Sequence, residues 1–335
     1  MKKITILLLI TIYHLSVFAQ DTTFHDKGKL FVNLYPGVYY NFTKTEHNAG
    51  FVMNTALFGY KRKLTKNISG IIIFDVTRTT NNIHVKDSTG KELDVSYFEG
   101  SKYTAFLKMA QIKWQFHKKI SLSVGQLLNT QYLTFQDKYW AHRYVAVTSQ
   151  EMYRFGNPAD FGMRLNWKPN NKWSVYAGVF NGEGPFRHQD EHSDFLVSAN
   201  IEYKPVEMLI FKLYVSNQEN YSSDTLNDKN IIAGFIGFDQ KKYRIGAEYS
   251  YVQNGDFYNT DYMLTSIFAY YNLSEKYQLF GRYDYVDKSK YLENNSYYIA
   301  GVQYTPASGF NIALNYRYFS TGENNMLFLN FGLKF

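Results

Sequence analysis

The chain has no cysteine and only six prolines in 335 residues, and no segment of it reaches the run of about 18 apolar residues that a membrane-spanning helix needs. The first absence removes disulfide staples, thiol nucleophiles and any cysteine-built metal cluster. The last leaves a closed barrel as the only way this chain could cross a bilayer. No HExxH, GxSxG or Walker pattern appears, nor a GxGxxG opening a helix, and no nucleophile is paired with a base. The reading is therefore not an enzyme, and no cofactor is expected. No Pro/Ser linker, charge block or low-complexity segment marks a domain boundary.

Aromatic residues are what the chain has in abundance. Thirty-one Tyr and 27 Phe bring the aromatic share to 19%, which suits girdles at two membrane interfaces. Mean hydropathy is negative, at −0.37. This does not oppose a membrane location, because a barrel's polar lumen face and loops mask its lipid-facing half. The N-terminus, MKKITILLLITIYHLSVFAQ, has two lysines, an apolar stretch from Ile4 to Ile12 and small residues before Gln20. Residues 1–19 read as a cleaved signal peptide, and residues 20–335 as one exported domain. The formal net charge is +7, or +5 once Lys2 and Lys3 are removed.

From Lys29 onward, strand-like runs alternate with two kinds of connection. Short ones are expected at Lys66-Asn67, His117–Lys119, Pro169–Lys172, Pro205–Glu207, Asp239–Lys242, Leu273–Lys276 and Pro306–Gly309. Long polar ones are expected at Thr43–Gly50, Thr80–Ser101, Asn129–Asp160, Gly182–Ser193, Gln218–Lys229, Asn254–Asp261, Lys288–Asn295 and Thr321–Asn325. This regular alternation predicts an all-β, transmembrane, antiparallel up-and-down barrel of about 16 strands, with short periplasmic turns and long extracellular loops.

Period-two alternation assigns the faces. Phe195, Val197, Ala199, Ile201 and Tyr203 are expected outside, with Ser198, Asn200, Glu202 and Lys204 inside; Arg164, Arg244, Glu248 and Arg317 also read as lumen-facing. The last strand, MLFLNFGLKF, turns Leu327, Leu329, Phe331, Leu333 and Phe335 outward and Asn330 and Lys334 inward, and should pair with the strand beginning near Lys29. Two stretches resist assignment. Ile231–Phe238 is apolar on both faces and Phe51–Arg62 does not choose between them; a bulge, or loop residues packed against the wall, would explain either.

The longest connection, Asn129–Asp160, carries Tyr132, Phe135, Tyr139, Trp140, Tyr144, Tyr153 and Phe155. So long and aromatic a loop needs a surface to pack on, and folding inward against the barrel wall supplies one. Lys138, His142, Arg143 and Arg154 would then narrow the pore and present positive charge. Lys138, Arg143 and Arg154, with the wall residues Arg164, Lys212, Arg244, Arg282 and Arg317, are the candidate pore-constriction and anion-binding set, since Lys and Arg favour anions by field and by direct contact.

Three stretches, DFGMRLNWKP at 160–169, YAGVFNGEG at 176–184 and AGVQYTPASGFNIALNYRY at 300–318, resemble the phosphate-selective porin O and P family of Gram-negative outer membranes. The resemblance implies a sixteen-stranded trimeric channel in the outer membrane, general or anion-preferring, with the third long loop folded inward. Its solutes would be small and hydrophilic, with anions or phosphate preferred. Selective members of that family line the channel with dense arginine and lysine rows, whereas here Glu202, Glu248 and Asp284 are interspersed. The final strand is similar to the C-terminal signal of outer-membrane barrels, which implies that Phe335 is read by the assembly machinery. An adhesin or receptor barrel acting through its surface loops is the alternative, and a lipid-face hydrolase a more distant one. HQDEH at 188–192 has metal-ligating residue types, but on a loop expected to face solvent. The aromatics alternate as a lipid-facing set would, so nucleic acid is not an expected partner.

Overall fold

The computed structural model of the chain describes residues 26–43, 46–79, 85–86, 92–93, 102–185, 195–220, 227–255, 257, 259–289 and 295–335. The signal-peptide reading and the HQDEH motif lie outside the described residues. The first half of the barrel consists of β1 (Lys29–Thr43), β2 (Glu46–Lys63), β3 (Ile68–Thr79), β4 (Lys102–His117), β5 (Ile120–Leu128), β6 (Ala159–Asn170), β7 (Trp173–Phe180) and β8 (Leu196–Val206). The second half consists of β9 (Leu209–Gln218), β10 (Lys229–Asp239), β11 (Tyr243–Gln253), β12 (Asp261–Asn272), β13 (Tyr277–Ser289), β14 (Asn295–Ala307), β15 (Phe310–Phe319) and β16 (Asn324–Lys334).

Each strand pairs antiparallel with its neighbours in sequence, and β16 returns to β1, giving a closed sixteen-stranded up-and-down barrel. The seam ends on a reciprocal pair: the Val32 amide donates to the Phe335 carbonyl at 2.8 Å, and the Phe335 amide to the Val32 carbonyl at 3.0 Å. No helix among the described residues is long and apolar enough to cross a membrane.

The two faces separate as the alternation predicts. On β8, Val197 and Ile201 are exposed on the outer wall while Ser198, Asn200 and Glu202 are buried within. On β16, Leu327 and Leu329 face out and Asn330 is fully buried. The buried polar residues of these two strands turn to the enclosed side.

The two unassignable stretches have different causes, one of each kind foreseen. In β2, Tyr35 pairs with Thr55 but Pro36 with Met53, so Asn54 is an extra residue and the faces exchange there. Pro36, which has no amide to donate, sits at this irregularity. In β10, Ile231, Ala233 and Phe235 point inward and are buried because the third long loop packs on them. One expected loop is absent as such: β1 and β2 run on until Thr43 pairs with Glu46, so Thr43–Gly50 is mostly strand. The alternation was hidden there by His47, Asn48, Ala49 and Gly50, residues with weak strand preference that the neighbouring ladder carries.

Gly125 in β5 has φ +119, and a Cβ there would lie 2.1 Å from the Ala110 carbonyl oxygen on β4. Gly125→Ala should therefore destabilise the barrel by about 1–3 kcal/mol, read as a lower urea midpoint for unfolding in lipid vesicles.

Candidate functional site

The loop between β5 and β6 enters the lumen and lies against one half of the inner wall. It contains two short helices, α1 (Phe135–Trp140) and α2 (Ser149–Met152). Its aromatic residues go where a surface exists. Tyr139, Trp140, Tyr144 and Val145 pack on Tyr35, Ile210, Phe235, Phe268, Phe280, Tyr297, Ile299 and Ala313. Farther along, Phe155 packs on Tyr214, Ile231, Ala233, Val252 and Leu264. Those wall residues belong to β9–β15, with Tyr35 of β1 closing the arc.

Polar anchors reinforce the apolar seat, and they follow one pattern: wall cations donate to main-chain carbonyls of the loop. Arg164 donates to Leu128 at 2.8 Å, Arg244 to Lys138 at 2.8 Å, Arg282 to Val147 at 2.6 Å and Arg317 to Val145 at 2.8 Å. Lys212 is enclosed by four oxygens, the carbonyls of Thr130 and Gln131, Thr134 Oγ1 and Gln136 Oε1. Glu248 provides the opposite polarity, accepting from Ser149 Oγ and Gln150 Nε2 at the start of α2. A buried cation without such oxygens would cost several kcal/mol in lost hydration. The loop carbonyls and the wall charges are thus mutually required.

The candidate residues divide accordingly. Arg164, Lys212, Arg244, Arg282 and Arg317 face the lumen as expected and are brought together by the loop. Lys212, Arg282 and Arg317 are buried beneath it. Arg282 also pairs with Asp284 at 2.9 Å and lies over the Trp140 ring, and Arg317 stacks on Phe328. Arg143 folds back within the loop onto Asp137 at 2.8 Å and Glu151 at 2.7 Å, which hold its guanidinium charged and above its ordinary range despite burial. His142 is buried against Phe280, ring centroids 4.2 Å apart, and burial pushes its imidazole down to about 4. It is neutral at pH 7 and presents no charge, contrary to the sequence expectation. Lys138 and Arg154 remain exposed on the loop.

Among the described residues, the wall from β2 to β8 contributes nothing to these two apolar clusters. At the long-loop end, a cavity of about 940 Å³ separates it from the third loop, lined by Arg154, Asp160, Tyr214 and the buried Lys108–Asp75 ion pair at 2.6 Å, among others. Lys108 owes its inward position to a second bulge, since Ile73 pairs with Met109 and Phe74 with Leu107. Toward the short turns that wall carries Lys63 and Lys113, inward by the pairing register, and Lys168, close enough to act on Lys113; all three are absent from the sequence-derived set. Parity against the exposed Ile112 and Trp167 was the signal that could have found Lys113 and Lys168. Among the described residues no group of three or more His, Cys, Asp or Glu could hold a metal ion.

Residues 148–331 match the family described as "Putative beta-barrel porin-2, OmpL-like". The chain belongs to the beta-barrel porin-2 family. This is a porin family other than the phosphate-selective one that its motifs resemble. No curated protein matches the chain. Among solved structures, the porin is similar to OmpF of Salmonella typhi in complex with Daunomycin, with TM-score 0.67 and 12% identity over 92% of this chain and 97% of that one. It is also similar to the anion-selective porin from Comamonas acidovorans, with TM-score 0.64 and 9% identity over 92% and 99% of the chains. OmpT of Vibrio cholerae, an outer membrane protein solved in a trimer form, gives TM-score 0.61 and 12% identity over 92% and 100%. At these identities the likeness is one of fold, and the porin shares the outer-membrane barrel architecture.

Two outcomes follow for the loop. Lys212→Met strands four loop oxygens at a cost of about 1–3 kcal/mol, and limited proteolysis should then cut within 129–158 at a protease concentration that spares the wild type. Because the folded His142 is held below its ordinary value of 6.5, an unseated loop takes up a proton first as pH falls. Loop seating should be fully stable above about pH 6.5 and weaken progressively toward pH 4. Proteolytic accessibility across that range checks this, and His142→Gln should flatten the dependence.

Proposed function

We propose that the protein is a passive channel for small hydrophilic solutes in the outer membrane of a Gram-negative bacterium, that it prefers anions, and that its third long loop narrows the lumen. The porin family and the sixteen-stranded barrel support a diffusion route with no chemical step, since a barrel of this strand number is wide enough for an aqueous channel. The observation that carries the finer reading is the one-sided seat of the loop. With β9–β15 covered, solutes pass along β2–β8, where Lys63, Lys108, Lys113, Arg164 and Lys168 outnumber the inward acids Asp75, Asp160 and Glu202. A focused positive field in a lumen raises the local concentration of anions and disfavours cations.

In this reading Arg154 and Lys138, exposed on the loop, face the solute from the other side of the passage. Lys212, Arg244, Arg282 and Arg317 act on selectivity indirectly, by fixing the loop's position, whereas Arg164 both anchors the loop and faces the passage. Phosphate is one anion among those the charge pattern suits. The short turns lie on the periplasmic side and the long loops outside. A homotrimer, cleavage after residue 19 and recognition of Phe335 by the barrel assembly machinery complete the proposal.

Planar-bilayer recording in a KCl gradient tests it. The expected reversal potential is of the sign that marks chloride as more permeant than potassium, and Arg154→Ala should lower the permeability ratio without closing the pore. No current from the folded protein would sink the channel reading, and a cation-selective reversal would sink the anion preference alone.

A further inference from the structure

The register of the uncovered wall brings together a row of side chains that no single strand discloses. Lys63 of β2 pairs with Ser69 of β3, Ser69 with Lys113 of β4, Lys113 with Ser123 of β5, and Ser123 with Arg164 of β6. Directly paired residues in antiparallel strands project to the same face, so all five look into the lumen, while Ile112, Val124, Met163 and Leu165 are exposed on the outer wall. Cation and hydroxyl alternate across the sheet. Successive cations are two strands apart, roughly 10 Å between Cα positions.

The row is also inclined. Lys63 lies at the short-turn end of its strand, whereas Lys113 is four residues and Arg164 six residues from the corresponding ends of β4 and β6. It therefore climbs from the short-turn mouth to Arg164, which holds Leu128 at the base of the third loop. Lys168 and Arg164 are both near enough to act electrostatically on Lys113. Among the described residues neither Lys63 nor Lys113 has an ion pair. Glu202 acts on Arg164 and Asp26 on Lys63, at the two ends of the row. Among the described residues no acid pairs with Lys113 between them.

We propose that the row Lys63, Ser69, Lys113, Ser123 and Arg164 binds elongated dianions, solutes with one anionic group at each end such as linear dicarboxylates. The spacing is what selects them. A compact oxyanion engages one cation at a time, whereas an extended dianion engages two successive cations and meets the serine hydroxyl between them. Two contacts each weak enough to break permit binding without trapping, as conduction requires. This site rests on the channel reading above and adds a substrate class to it.

The test uses the full-length protein in planar bilayers, with adipate, butyrate or inorganic phosphate added on the short-turn side while chloride current is recorded. Adipate should halve the current at a concentration about tenfold below that of butyrate or phosphate, the factor expected for one additional modest contact. Lys113→Gln, and separately Lys63→Gln, should bring adipate to within about twofold of butyrate while chloride current persists. Equal potency of the three anions, phosphate as potent as adipate, or unchanged adipate block in both variants would overturn the proposal. Should no current be seen, the channel reading fails on its own; calorimetric titration of the folded full-length protein in detergent with the same anions then decides the row, with preferential heat for adipate supporting it and none opposing it.

Discussion

A chain that crosses hydrocarbon on strands must pair every backbone amide and carbonyl with another part of itself, because the lipid offers no partner. Closure between β1 and β16 meets this demand, and the remaining architecture depends on it. Once the ladder is closed, each strand must have one lipid face and one enclosed face. Once those faces are fixed, the polar residues of sixteen strands are gathered into a single interior. The reciprocal bonds between Val32 and Phe335 are where the ladder meets its own beginning.

That interior is not left as a uniform tube. The loop between β5 and β6 supplies carbonyls to Arg244, Arg282 and Arg317 and a four-oxygen nest to Lys212, while its rings cover Phe235, Phe268 and Phe280. Charged wall residues and an aromatic loop would each be unfavourable alone in such a place. A buried ammonium needs oxygens, and exposed Trp and Tyr rings need apolar cover. Their combination packs one side of the lumen with loop and leaves Lys63 and Lys113 on the wall opposite. Acids lie on both sides: Glu248 and Asp284 are buried with the basic residues under the loop, and Glu202 and Asp75 are buried on the wall that the loop leaves uncovered.

The strands were legible because period two and loop length are local properties. The outward set on β8 and the inward Asn330 follow from counting alone. Where counting failed, a nonlocal cause was responsible: the extra Asn54 in β2, and the loop seated on Ile231, Ala233 and Phe235. The candidate site was legible in direction only. Parity said that Lys212, Arg282 and Arg317 point inward, but not that a segment 76 to 172 residues away would meet them there. His142 carried the same ambiguity, since a histidine's charge is decided by its surroundings and these are aromatic. Lys113 shows the converse. It lay in a strand whose alternation was readable, and its significance comes from Lys63 and Arg164 on the even-numbered strands to either side.

The loop's anchors have a consequence for assembly. Arg164, Lys212, Arg244, Glu248, Arg282 and Arg317 all follow residue 158 in the chain, and among the described apolar wall residues that receive the loop, only Tyr35 precedes it. A chain emerging from its N-terminus makes the loop before the surface on which the loop rests. Seating is therefore a late event, contingent on β9–β15 being in place, and the aromatic loop must be kept from other apolar surfaces until then. Closure of the seam and seating of the loop both wait for the last strands, which links the completeness of the barrel to the shape of its passage.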